Sequence, residues 1–118
     1  EIIHVVLSGS IWEEVAKESG VRIAREAFAD RAITSDGKLV SRNVKGSVIT
    51  QEEEIVKRVI KLAKTGTMDS IDGDSVEISA ETLCLHGDNK SSVGLASVIR
   101  KELERSGIQL SPMHTFVK

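Results

Sequence analysis

Two short stretches of this 118-residue chain carry residues able to do chemistry. The first is TLCLHGDN, residues 82–89, an apolar run that ends in His86, Gly87 and Asp88. An imidazole titrates near neutral pH and can act as general base or acid. A carboxylate beside it can orient the ring or bind a cation, and a glycine between them would let the backbone turn with positive φ and approach a ligand closely. The second is FADR, which offers Asp30 and Arg31, with Glu26 on the same face as Asp30 if the segment is a strand of period 2. A nearby LVSR adds Arg42. A guanidinium presents a planar fork suited to a substrate carboxylate or phosphate.

Each of these residues also has a plain structural reading. His86 suits an ordinary turn with its ring satisfied, and Asp88 or Asn89 suits the N-cap of a following helix. Asp30 and Arg31 could form a surface ion pair worth about 0–1 kcal/mol, and Arg42 alone reads as solvated. A buried Glu26 needs a partner, with Arg31 and Arg42 the candidates. Cys84, in mid-strand, reads as a packed core thiol. LSGS, residues 7–10, could bind an anion at a helix start, but it lacks the lysine and further glycines of a phosphate loop, and neither G-x-G-x-x-G nor G-x-x-x-x-G-K occurs.

The elements that must position these residues alternate. IIHVVLS is a continuous β-branched run, as a strand buried on both faces should be. A helix follows, with Ser10 and Glu13 as a capping box, Ile11, Trp12, Val15 and Ala16 as its inward stripe, and Gly20 at its end. VRIAREAFADR reads as a strand and residues 32–49 as a long polar loop with a Ser-Asp-Gly turn. Loops of that length in compact domains are usually functional. TQEEEIVKRVIKLAKTG reads as a helix capped by Thr50 and Glu53, with Ile55, Val56, Val59, Ile60 and Ala63 on one face and Gly66 closing it. A small exposed hairpin around Asp72-Gly73 comes next, then the strand ETLCLHG, then a helix with Leu95, Ala96, Ile99 and Leu103 inward, stopped by Gly107. IQLSPM begins a last strand that Pro112 ends. Alternating strands and amphipathic helices predict an α/β fold of parallel βαβ units, a single unit over residues 1–118, with all strand C-termini on one edge.

Composition narrows the partners. Charged residues are 29%, hydrophobic residues 40% and the net charge −2, a globular balance. Acids and bases are mixed, so nothing in the charge points to nucleic acid or an anionic membrane. Aromatics are 3% with no Tyr, which disfavours base stacking. The single Cys84 rules out an intramolecular disulfide and a Cys-based zinc cluster, and suggests a reducing, cytoplasmic setting. No stretch reaches the roughly 18 apolar residues of a membrane-spanning helix. The opening residues lack Met and a basic leader and read as a strand already under way, so the chain is expected to start inside a fold.

The ordered set EAFADRAITSDGKLVSR, GSVI and ETLCLHGDNKSSVGLASVIRKELERSGI strongly resembles the C-terminal half of the LamB/YcsF family, and the resemblance runs from about LSGS onward. The family's C-x-H-G-D falls on Cys84, His86, Gly87 and Asp88. Its F-A-D-R falls on residues 28–31, preceded by Glu26, and its L-V-x-R on Leu39, Val40 and Arg42. The resemblance implies half of a seven-stranded, metal-deacetylase-like β/α barrel. It implies service as the A subunit of 5-oxoprolinase: ATP-dependent opening of the 5-oxoproline lactam to glutamate, with partner subunits B and C. His86, Asp88, Asp30 and Glu26 are then the catalytic candidates and Arg31, Arg42 and Gly87 the substrate-binding ones, with any metal unassigned.

The departures are as informative. A whole β/α barrel takes about 250 residues. The family's early Asp-Leu-Asn, C-G-x-H-A-G-D and K-P-H-G-A-L-Y-N motifs do not occur here, Ile33 stands where a Tyr is common, and KSSV follows H-G-D-N where Pro and Ala-Val are usual. Half a barrel exposes strand edges, so the chain is expected to meet a separate N-terminal half or a second copy of itself, and to turn over little substrate alone. Two alternatives stand beside this one. One is a catalytically inactive α/β binding or assembly module that keeps the fold. The other is a flavodoxin-like domain binding an anion at the Asp88/Asn89 helix start.

Overall fold

A computed structural model describes residues 2–88 and 90–118. Strands β1 (His4–Leu7), β2 (Ile23–Phe28) and β5 (Thr82–Cys84) form a parallel sheet in the order β1-β2-β5. Helix α1 (Ile11–Glu18) connects the first two, and helices α2 (Glu52–Thr65) and α3 (Ser92–Arg105) flank the excursion that leads to and from β5. The expected parallel α/β arrangement is therefore present. Strands β3 (Thr67–Asp69) and β4 (Ser75–Glu77) form the expected hairpin.

The register divides the sheet into two faces. Glu26 lies opposite Thr82 and Phe28 opposite Cys84, so these four side chains share one face. Ala27 lies opposite Leu83 on the other face. That second face is the covered one. Ala29 packs with Ile55 and Val59 of α2 and Leu95, Ile99 and Leu103 of α3, and Ala27 packs with Ile33, Leu62 and Met68. Alanines on the strand let both helices approach closely, and their side chains lose no rotamer freedom on burial. The faces of α2 and α3 follow the 3.6-residue period, with two adjustments. Leu62 rather than Ala63 is the buried residue at the end of α2, and Ala96 of α3 is exposed.

Several expected features differ. The Thr50–Glu53 capping box does not form: Gln51 is the N-cap of α2 and makes no side-chain cap bond. Three glutamates in the first turn supply negative charge at the helix's positive end instead. The hairpin is not wholly exposed, because Met68 is 1% accessible in the second core cluster. IQLSPM forms no strand. Ile108 packs against the first cluster, and Arg22 donates from Nε to the Val117 carbonyl at 3.0 Å, drawing the C-terminal segment toward the start of β2 rather than alongside β5. The inward stripe of α1 is mostly outward: Ala16 and Glu13 are buried, while Ile11, Trp12 and Val15 are 77%, 58% and 52% exposed. Among the described residues, no helix is long and apolar enough to cross a membrane.

Candidate functional site

The opposite face of the sheet, where Ala24 is buried and Glu26 and Phe28 are partly buried, carries the polar candidates. Glu26 and Asp30 lie two strand-steps apart on either side of Phe28, and the chain leaving β5 brings His86 over them. The Nδ1 atom of His86 lies 2.9 Å from Asp30 Oδ1. The imidazole stacks on Phe28 with ring centroids 5.2 Å apart and an interplanar angle of 25°. The Ser92 hydroxyl donates to the His86 carbonyl, so the first residue of α3 holds the backbone of the turn. Ring and carboxylate are thus fixed by an aromatic wall, a helix start and each other. The side chains of His86 and Asp30 keep 26% and 13% of their exposure.

Beneath this pair sits Cys84. Burial pushes its thiol above the ordinary value, and the charge and hydrogen bond of Glu26 push the same way, with Asp30 adding a further negative field. Both carboxylates disfavour a thiolate. Cys84 is therefore half-buried on the polar face and bonded to Glu26, not packed within the apolar core as expected.

The arginines lie elsewhere. Arg31 follows Asp30 and so projects to the opposite side. It is buried in the loop, where a terminal nitrogen donates 2.7 Å to the Val40 carbonyl and Nε has no partner. Its own carbonyl accepts from Arg58 at 2.8 Å. Arg31 thus staples the loop, and the partner of Glu26 is Cys84 rather than either arginine. Arg42 is exposed, and its carbonyl, not its guanidinium, is engaged, by the Ser47 hydroxyl. Asp88 and Gly87 are exposed. Asp88 does not cap α3, whose N-cap is Ser91, and Asn89 falls outside the described residues. Gly87 is not among the glycines with positive φ, so its expected left-handed turn is absent.

The LSGS turn is not an open anion site. Ser10 caps α1 by accepting from the Glu13 N–H at 3.2 Å, and the Glu13 carboxylate reaches past Ser10 to accept from the Gly9 N–H at 2.7 Å. The helix start is filled by its own carboxylate, which Lys17 pairs. Among the described residues, no group of three or more His, Cys, Asp or Glu side chains is placed to hold a metal ion. Four contributors escaped the sequence reading: Phe28 as the wall behind His86, Ser92, the loop-clamping Arg58, and Glu81, which binds Arg25. Only Phe28 carried a visible signal, since its alternation with Glu26 and Asp30 puts all three on one face.

The parallel sheet ends at its C-terminal edge in an imidazole–carboxylate pair, on an α/β protein of parallel βαβ type. The LamB/YcsF family profile matches residues 1–118, and the chain belongs to that family. It is 44% identical over 117 residues to the 5-oxoprolinase A subunit of Pyrococcus furiosus, covering 99% of this chain and 46% of that protein. It is 46% identical over 117 residues to the 5-oxoprolinase A subunit of Thermococcus sibiricus, with the same coverages of 99% and 46%. The crystal structure of a lactam utilization protein from Thermus thermophilus superposes with a TM-score of 0.84 at 35% identity, over 92% of this chain and 43% of that one. The chain spans about half the length of the curated relatives it matches.

Proposed function

We propose that this chain supplies the His86–Asp30 portion of a lactam-opening site of the 5-oxoprolinase type, working with partner subunits. The 2.9 Å contact between Asp30 and His86 Nδ1 carries this reading. With Nδ1–H donated to Asp30, Nε2 keeps its lone pair. Opening 5-oxoproline to glutamate adds water across the ring C–N bond, and the ring nitrogen must leave carrying a proton. Nε2 can accept a proton from the attacking oxygen and return one to that nitrogen. Asp30 fixes the ring and stabilises the imidazolium formed between the two transfers. Glu26, held by the Cys84 thiol, adds negative charge below the same ring.

The family resemblance implies that this reaction is ATP-dependent and that B and C subunits are its partners. The LSGS turn, which the sequence offered for an anion, is closed by the Glu13 carboxylate. Among the described residues the rim has no guanidinium for the substrate carboxylate either, so the residues that hold it belong to the part of the fold this chain does not span. An incomplete site predicts little turnover by the chain alone. The buried Arg31 and exposed Arg42 also favour a second reading, an inactive module that keeps the fold.

The test is ATP-dependent conversion of 5-oxoproline to glutamate by this chain assembled with the B and C subunits and the missing part of the fold. Removing a general acid–base residue typically costs about 10²–10⁴ in rate. His86→Ala should lower kcat by that order, and Asp30→Asn by less. Turnover by the chain with B and C alone would overturn the incomplete-site reading. Lactam binding unchanged by His86→Ala, with only stability falling, would establish the inactive module.

A further inference from the structure

Among the described residues, the buried side-chain polar atoms without a hydrogen-bond partner are the Nε atoms of Arg31 and Arg58. Folded proteins pair nearly all such atoms, so each exception needs a reason. Both exceptions lie at the segment that carries Asp30. Arg31 is the next residue, and Arg58 of α2 reaches over to donate to the Arg31 carbonyl at 2.8 Å. A second terminal nitrogen of Arg58 donates to the Asp69 carbonyl at 3.3 Å. Burial holds the Arg58 guanidinium below its ordinary pKa, against the charges of Glu54 and Asp69. Desolvating a cation to bond neutral carbonyls is a poor way to gain stability. It is a good way to fix a backbone. The Asp30 carbonyl accepts from the Ile49 N–H at 2.9 Å, and Ala32 donates to the Ser47 carbonyl at 2.8 Å. Those bonds hold the segment from the side of residues 47–49. The Arg31 carbonyl between them is held from the other side, by Arg58. The Asp30 backbone is therefore clamped from two elements, and local rules of burial are broken where sites are built.

We propose that Arg58 is a positioning residue for the rim: by gripping the carbonyl of the residue after Asp30, it holds the Asp30 carboxylate at bonding distance from His86 Nδ1 and so sets the tautomer of the imidazole. Which ring nitrogen carries the proton is decided by the bond the ring makes. A carboxylate held at Nδ1 keeps the proton there and leaves Nε2 free. A loosened one lets the proton pass to Nε2, and the ring then lacks its free base on that side. The inference rests on the His86–Asp30 site proposed above but not on a lactam as its substrate.

The test reads the two ring nitrogens of His86 by nitrogen NMR in the full chain, at a pH where the imidazole is neutral, with signals assigned by their loss in His86→Asn. The wild-type ring should be mainly Nδ1–H. Arg58→Met keeps the reach and removes the fork, and should lower the ratio of Nδ1–H to Nε2–H at least about threefold, toward that of Asp30→Ala. Arg58→Lys can bond one carbonyl and should fall between. Lys57→Met, at its exposed neighbour on α2, should leave the ratio unchanged. Circular dichroism checks folding, and should Arg58→Met not fold, the ratio in Arg58→Lys decides. An unchanged ratio in the folded Arg58 variant would overturn the proposal, whatever the change in stability. A wild-type ring that is mainly Nε2–H would overturn both the proposal and the site beneath it. A lowered ratio in a protein that opens no lactam would defeat the substrate reading and leave the role of Arg58 standing.

Discussion

Glu81 holds Arg25 at two points: its carboxylate accepts from the Arg25 backbone N–H at 2.7 Å and pairs with the guanidinium of the same residue. One side chain at the entrance to β5 thus fixes both the edge and the flank of β2. Burial works to raise the Glu81 pKa, but the bonds from Arg25 outweigh it and hold the carboxylate below its ordinary value. A depressed carboxylate contributes stability that is present above the unfolded value and lost as pH falls through the folded one. The unfolded value for Glu is about 4.3, so this loss belongs to the range below that. We expect Glu81→Gln to cost about 1–2 kcal/mol at neutral pH and to flatten the acid limb of stability. Urea unfolding at pH 7 and pH 3 checks this; equal destabilisation at both would show that the charge contributes nothing.

A second carboxylate behaves in the same direction. Burial raises the Glu13 pKa, while Lys17 and the Gly9 N–H lower it, with a net depression. Ser10→Ala removes the cap to the Glu13 N–H and should cost about 1 kcal/mol. Glu13→Gln should cost less as pH falls below the ordinary carboxylate range, because the stability its depressed carboxylate contributes is lost in that direction. Thermal melts of both variants at pH 7 and pH 3 measure this.

Cys84 gives a chemical readout of the polar face. With its thiol raised by burial and by Glu26, alkylation by iodoacetamide at pH 8 should be slower than for a free thiol. Glu26→Gln removes the charge and should move the pH midpoint of alkylation downward. A midpoint unchanged by that substitution would show that Glu26 does not touch the thiol.

In the core, Met68→Ala should cost about 2–5 kcal/mol, the range for truncating a large buried side chain. Denaturant unfolding followed by circular dichroism provides the value. A cost below about 1 kcal/mol would mean that the hairpin does not share the core.

Much of the fold was legible because its signals are local. β-branched runs marked β1 and the entrance to β2, the 3.6-residue period marked α2 and α3, and Gly66 closes α2 in the left-handed conformation at φ 69°. What escaped depends on neighbours distant in sequence. The stripe of α1 reads as inward because nothing in eight residues says whether another element lies beside it. IQLSPM reads as a strand, yet a strand needs a partner edge, and its backbone is drawn to Arg22 instead. In the site, alternation brought Glu26, Phe28 and Asp30 to one face, and the abrupt end of an apolar run marked His86. The same alternation, carried one residue further, sends Arg31 to the opposite side. Which carbonyl receives Arg31 depends on the path of a loop whose turns leave many routes open.

Trp12 also determines how this protein can be watched. It is the only tryptophan of the chain, and it is already half in water when the chain is folded. Its emission should therefore change little on unfolding, and a melt followed by intrinsic fluorescence would under-report a transition that circular dichroism sees in full. The same indole should shift to the blue and resist acrylamide quenching once another surface covers α1. The residue that makes fluorescence a poor thermometer for this fold makes it a direct gauge of whether anything covers α1.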